Sequence, residues 1–401
     1  MKIQWIGFTL MAFFTIVLGA QPSYQGIMTD VIYLASDDLE GRCTGTRGEE
    51  LAADYIIYRM KKIGLKPKGQ KEWLHSFSFS SNPHDKANLD KTGNNVVGFL
   101  DKKSKNTIVI GAHYDHLGHG EVGSLAPNDH SIHNGADDNA SGVACMLWLA
   151  EQLATNKKFK TNVLFIAFSG EEYGLFGSKS FVDKPSIALN QIKAMINMDM
   201  VGRLNQEKVL AISGSGTSKE WNSILEKTKP QGFKFNYSEG GIGPSDHTSF
   251  YLKDIPVLHF FTGQHLDYHK PSDDSPLVNY LGIEEVSKII HQIVLELDKT
   301  NLTFQKTKDE NKDQAVSFKV TMGLMPDYVF SGEGMRVDAV LDNRPAAAAG
   351  MKNGDVILQI GESSIKDVYE YMKVLNKFEK GQETDVTVLR GTERVILKVK
   401  F

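Results

Sequence analysis

Short runs rich in β-branched and aromatic residues recur along the first two thirds of the chain: Thr107–Ala112, Asn162–Phe168, Ala194–Met198, Val209–Ser213 and Pro256–Phe261. Their length and composition are those of buried strands. Between them the spacing changes. Thr46–Leu65 carries Leu51, Ala52, Tyr55, Ile56, Met60 and Ile63 at a helical period, with Gly64 suited to end the helix. Gly142–Ala154 and Ser218–Lys227 read as further helices, and Ile283–Leu297 closes the series. Strands alternating with helices predict an α/β domain, a mostly parallel mixed sheet sandwiched by helices. Ligands of such sheets bind beyond the carboxyl ends of the strands, where His113, Glu171, Glu172 and Asp199 fall.

Two stretches break the pattern. Lys2 precedes an apolar run from Trp5 to Ala20 that ends in small residues. This is the pattern of a signal peptide cleaved near Ala20, and it is shorter than the roughly 20 residues that span a bilayer. The expectation is an exported chain, periplasmic or extracellular, with no stable membrane span after cleavage. Asp298–Gln314 is polar, highly charged and nearly free of apolar periodicity, which predicts a linker. The expected division is thus signal peptide 1–20, catalytic domain 21–297, linker 298–314 and a small module 315–401. Lysine and arginine number 45 against 49 acids, a net charge of −4 that points away from nucleic acid and anionic membrane surfaces. Cys43 and Cys145 are the two cysteines, and they are expected to be free thiols.

The chemistry lies in the loops after the strands. His113-Tyr114-Asp115 ends the first run; alone, a His-x-Asp is as readily a polar pocket as a metal ligand. Gly135-Ala136-Asp137-Asp138-Asn139-Ala140-Ser141-Gly142 suits a helix cap, and also a carboxylate brought close to two metals. Phe168-Ser169-Gly170-Glu171-Glu172 sets adjacent acids directly after a strand, either favoured there by a helix dipole or divided between metal ligation and proton transfer. Asn197-Met198-Asp199-Met200 sets an acid within an apolar strand, where an unpaired charge is costly and a metal resolves the cost. Tyr268-His269 lies in a loop able to deliver a last imidazole. Five ligands and a spare carboxylate suit two four-coordinate zinc ions sharing one bridge.

These motifs resemble the co-catalytic dizinc aminopeptidases of the bacterial secreted type (metallopeptidase family twenty-eight), whose wider family includes glutamate carboxypeptidase-like enzymes, glutaminyl cyclases and transferrin receptors. The resemblance covers about Tyr33 to Leu297, including the lead-in Leu34-Ala35-Ser36-Asp37-Asp38-Leu39-Glu40-Gly41-Arg42. It implies two Zn²⁺ per chain, one held by His113 and Asp199, the other by Glu172 and His269, with Asp137 bridging. It makes Glu171 the general base and acid, and places a cis peptide at Asp137–Asp138. Asp115 and Asp138 are expected behind the ligands. Ser245-Asp246-His247 matches the family's segment beside the substrate pocket, and Cys43 stands where glycine is expected. Tyr268 is a candidate donor to the oxyanion. Arg203 either clamps a substrate carboxylate or pairs with an acid, and pairing is favoured. His116, His119, His130 and His133 read as loop histidines, with His133 within reach of the layer behind the ligands. There is no His-Glu-x-x-His helix of a single-zinc peptidase.

Met322-Gly323-Leu324-Met325, followed by Pro345-Ala346-Ala347-Ala348-Ala349-Gly350 and Gly354-Asp355-Val356-Ile357, resembles a PDZ domain. Such domains bind peptide C-termini by strand addition, so Gly323, Leu324 and Met325 are the expected carboxylate loop. Together these readings predict an exported zinc exopeptidase. It would be an aminopeptidase acting on peptides through a metal-bridging hydroxide, with a possible C-terminal peptide ligand on the PDZ module. The rivals are a carboxypeptidase or dipeptidase on the same scaffold, and a PDZ scaffold with a vestigial hydrolase.

Overall fold

The computed structural model describes residues 23–80, 90–126, 128–307, 320–326, 330, 332–340 and 344–401. The expected signal peptide and the latter half of the expected linker lie outside these residues. Nine strands form the first sheet: β1 (Lys66–Pro67), β2 (Leu74–Phe79), β3 (Lys91–Leu100), β4 (Thr107–His113), β5 (Asn162–Phe168), β6 (Ile192–Met198), β7 (Val209–Ser213), β8 (Lys234–Ser238) and β9 (Val257–Phe261). Their order is β1-β3-β5-β4-β6-β9-β7-β8, with β2 on β3. The centre, β5-β4-β6-β9, is parallel, whereas β3 joins β5 and β7 joins β9 antiparallel. Every residue of β4 and β5 is buried, which explains their unbroken apolar runs. Alternation in β2 is polar-out and aromatic-in through Phe77 and Phe79, a signal that short length and serine content mask in the sequence.

Helices α1 (Gln25–Leu34), α2 (Arg47–Ile63), α3 (Gly142–Thr155), α4 (Phe176–Asp183), α5 (Trp221–Thr228), α6 (His247–Tyr251) and α7 (Tyr280–Leu297) complete the domain. Thr46 caps α2 by accepting from the Glu49 amide, and Gly64 ends it in the left-handed conformation at φ 90°. One core cluster joins α1, α2, α3 and α7 to the sheet through Val31, Ile56, Met146, Ile196 and Ile290. A second cluster packs Phe168, Phe181 and Phe250 on the opposite face. The sheet is therefore covered on both sides. This holds the ends of β4, β5 and β6 rigidly at one edge of the domain, where their loops meet.

The chain after α7 is not a free tether at its start. Asp298 accepts the amides of Lys160 and Thr161, Gln305 donates its amide to Thr217 O, and Phe304 packs on Tyr251 at 5.5 Å between ring centroids. Its few apolar residues, Leu302 and Phe304, supply that docking, so residues 298–307 lie on the first domain rather than in a linker. The second unit contains β10 (Leu324–Pro326), β11 (Met335–Val340), α8 (Pro345–Ala348), β12 (Val356–Ile360), β13 (Ser363–Ser364), α9 (Val368–Leu375), β14 (Glu383–Arg390) and β15 (Glu393–Lys400). Its antiparallel sheet runs β10-β11-β12-β14-β15 around its own core of Met335, Ile357, Val374 and Val386. Gly323, at φ 69°, leads into β10, which lies at the sheet edge among the described residues. Among those residues no helix is long and apolar enough to cross a membrane.

Candidate metal centre

The ends of β4, β5 and β6 and the loop carrying His269 converge on the Asp138 carboxylate. His113 ends β4, and its Nε2 lies 3.2 Å from both Asp138 Oδ1 and Asp199 Oδ1. Asp199 follows β6 and donates its amide to Phe260 O on β9. On the other side, His269 Nε2 lies 3.2 Å from Asp138 Oδ2 and 3.2 Å from Glu172 Oε2. Asp138 thus stands between two pairs, each one imidazole and one carboxylate. In the triad His113, Asp138 and Asp199 one ligand atom from each residue lies within 4.8 Å of the others, and the same holds for His116, Asp138 and Glu172.

This corrects the reading of the Asp137-Asp138 pair. Asp137 does not bridge: its Oδ1 accepts the Gly202 amide at 2.6 Å, and its Oδ2 lies 3.2 Å from His265 Nε2. Asp138 was expected behind the ligands and instead occupies their centre. The cis peptide is Asp138–Asn139, one residue beyond the expected place. A long-range contact holds this loop: Asp273 Oδ2 accepts both the Asp137 and Asp138 amides at 3.0 Å. That grip orients the loop so that the two adjacent side chains leave on different sides. His265 and Asp273 carry no pattern in the sequence that marks them; Asp273 lies four residues after His269, and only the folded loop reveals its role.

The layer behind the ligands is dense. His113 Nδ1 lies 3.2 Å from Asp115 O, which leaves Nε2 for the centre. The Asp115 carboxylate accepts from Thr44 Oγ1 at 2.9 Å and from the Glu171 amide at 3.2 Å. Burial first, with Glu172 and Glu49 adding, pushes Asp115 up to about 7 against the pull of His113. Arg42, wholly buried, donates Nε to Tyr114 O at 2.8 Å and its terminal nitrogens to Leu34 O, Asn134 O and Gly135 O. Desolvation lowers it to about 10, so it stays charged at neutral pH near Asp115 and Asp138.

Glu171 sits beside His113 and Glu172. Burial first, opposed by His113 and reinforced by Asp199 and Glu172, raises its carboxyl well above the usual range. Burial also opposes ionisation of Glu172, but His269 and the His116 and His269 contacts bring it down to about 2. Tyr268 stacks on His269 with ring centroids 3.9 Å apart, at the rim of the centre.

Asp246 and His247 are wholly inaccessible; Asp246 lies within electrostatic reach of His113, Asp199 and Glu171, and the His247 ring stacks on His259 at 4.4 Å. Arg203 reaches Asp267 at 3.1 Å and Asp273 at 3.4 Å, the pairing favoured above. Among the loop histidines, His119 bonds His130 O and is exposed, and His133 bonds Ser124 and Ser131 O. His116 is the exception, with Nδ1 2.8 Å from Glu172 Oε1. Both cysteines are free and buried.

The donor set fits zinc. Two imidazoles and three carboxylates converge, and carboxylates so close are stabilised by cations beside them.

Residues 95–294 match the family Peptidase family M28, and residues 302–401 match the PDZ domain. Aminopeptidase YwaD of Bacillus subtilis is 27% identical over 245 residues, covering 57% of this chain and 50% of that protein. The alkaline phosphatase isozyme conversion protein of Escherichia coli is 28% identical over 218 residues, covering 48% of this chain and 61% of that one. The matched region is therefore less than two thirds of those relatives' lengths. The Legionella pneumophila LapA aminopeptidase superposes with a TM-score of 0.54 at 22% identity, over 69% of this chain and 72% of that one. A Porphyromonas gingivalis glutaminyl cyclase gives 0.57 at 17% identity, over 69% and 98%. These structural likenesses establish the fold. The chain carries a peptidase family M28 domain, with the mixed sheet and flanking helices of that family, followed by a PDZ domain.

Proposed function

We propose that this chain is a zinc-dependent aminopeptidase holding two zinc ions, one on His113 and Asp199, the other on His269 and Glu172, with Asp138 shared. The single observation that carries the reading is the Asp138 carboxylate, each of whose oxygens lies 3.2 Å from a different imidazole. Zinc bound there supplies Lewis-acid polarisation of the scissile carbonyl and acidification of water. The protein's own residues do the rest. Glu171 holds and releases a proton on its carboxylate beside His113, taking it from water and giving it to the leaving amine. Asp115 keeps the His113 ring oriented through its backbone oxygen, and Asp273 keeps Asp138 in place. Tyr268 at the rim offers a hydroxyl to the developing oxyanion.

The commitment of Arg203 to Asp267 and Asp273 supports an aminopeptidase over a carboxypeptidase, which needs a cation for the substrate carboxylate. The excess of carboxylates at the centre suits a protonated α-amine. We place the protein outside the cytoplasm, and assign the Gly323–Met325 segment and the β10 edge to a peptide C-terminus. The deciding experiment offers the zinc-loaded protein paired peptide libraries with free and acetylated N-termini and reads products by mass spectrometry. Loss of single N-terminal residues from free-amine peptides alone is expected. C-terminal trimming of both libraries would replace this reading with the carboxypeptidase.

A further inference from the structure

Glu171 and Glu172 are neighbours of identical chemistry, yet only one of them faces His269. The His116 side chain touches only the second of them, Glu172. It is wholly buried, and its Nδ1 lies 2.8 Å from Glu172 Oε1. A carboxylate oxygen only accepts, so Nδ1 carries the proton. With Oε1 engaged, Glu172 presents Oε2 to His269 Nε2 at 3.2 Å. Glu171 is held differently, through its backbone amide on Asp115.

The imidazole is fixed from several directions. Its backbone amide donates to Arg42 O at 3.3 Å, and Cys43 pairs with it in an isolated parallel bridge. Gly135, at φ 57°, lies against the ring: a Cβ there would fall 2.5 Å from His116 Cγ. Arg42 donates to the carbonyls of Asn134 and Gly135, which holds that loop down on the ring. The His269 ring meets it edge-on at 5.8 Å between centroids.

We propose that His116 is a positioning residue that fixes the Glu172 carboxylate by one oxygen, and thereby makes Glu172 the metal ligand and leaves Glu171 free for proton transfer. The assignment rests on the two-metal reading above. Oriented carboxylate ligands lose roughly 10–100-fold in metal affinity when the residue behind them is removed.

The experiment titrates zinc into metal-free wild type, His116→Ala and His116→Asn by calorimetry, with thermal melts of each. Wild type should take up two ions. His116→Ala should bind the first ion as wild type does and the second on the order of 10–100-fold more weakly. His116→Asn, whose side-chain amide still donates, should recover most of that loss, which a merely structural defect would not. Two ions bound by His116→Ala with wild-type affinity would overturn the proposal while leaving the two-metal reading intact. A single ion in wild type would remove both. Nitrogen-15 spectra of histidine-labelled, zinc-loaded wild type supply a test that needs no variant: the His116 Nδ1 should carry a proton. A metal-shifted Nδ1 would make it a direct ligand and overturn the proposal.

Discussion

Replacing Asp273 with alanine tests how much of the centre depends on one buried carboxylate. The side chain is inaccessible, and its Oδ2 accepts the amides of both Asp137 and Asp138. Its Oδ1 faces Arg203 at 3.4 Å. Alanine would leave two buried N–H groups without that acceptor, each costing about 1–3 kcal/mol. Arg203 retains Asp267, so no full buried-charge penalty is added. The expected loss is about 4 kcal/mol, measured as the change in denaturant midpoint at constant slope. Burial, with Asp137 adding like charge, raises the Asp273 carboxyl from its usual value. Asparagine, which relieves that penalty and still accepts through one oxygen, should therefore cost less than alanine. Because the same amides orient Asp138, zinc affinity should fall together with stability in the alanine variant. A change within 1 kcal/mol, with metal binding untouched, would refute the claim that Asp273 sets the direction of Asp138.

Glu171→Gln should retain zinc and lose orders of magnitude in kcat, whereas Glu172→Gln should weaken metal retention; metal analysis beside single-turnover rates checks both, and reversed phenotypes would exchange the roles. Asp138→Asn should reduce zinc content far more than Asp137→Asn, and equal losses on metal analysis would return the bridge to doubt. Burial lowers His259 to about 4, with His113 adding to the effect and Asp199 opposing it. The native state thus holds it neutral where the unfolded chain protonates it. Its contribution is complete above about pH 6.5 and is lost as pH falls toward 4, about 3 kcal/mol in all. Denaturant midpoints between pH 7 and 4 should fall less steeply for His259→Gln than for wild type. A chain ending at Thr307 should melt near the temperature of the full first domain, while one ending at Leu297 should melt lower for want of Leu302 and Phe304. Identical melts would show that the docked segment contributes nothing.

The sequence by itself determined the elements whose physics is local. Buried central strands require unbroken apolar runs, so β5 and β7 were legible residue for residue. The carboxyl ends of parallel strands follow from the same pattern, which is why His113, Glu171, Glu172 and Asp199 stand out together in the sequence, whereas His269 and the division of roles come from the family resemblance. The edge strands β2 and β8 were not legible, because half-exposed strands alternate weakly with serine and lysine on their outer face. Tertiary structure decided between Asp137 and Asp138. Adjacent residues of the same type in a loop carry no periodic signal, and the choice is made by Asp273, more than a hundred residues away. The same holds for His116, whose sequence neighbours mark only a polar loop. Its meaning comes from Glu172, Gly135 and Arg42, which meet it only when the strand ends assemble. Local pattern fixes which residues reach the edge of the sheet, and long-range contacts fix which way they point there.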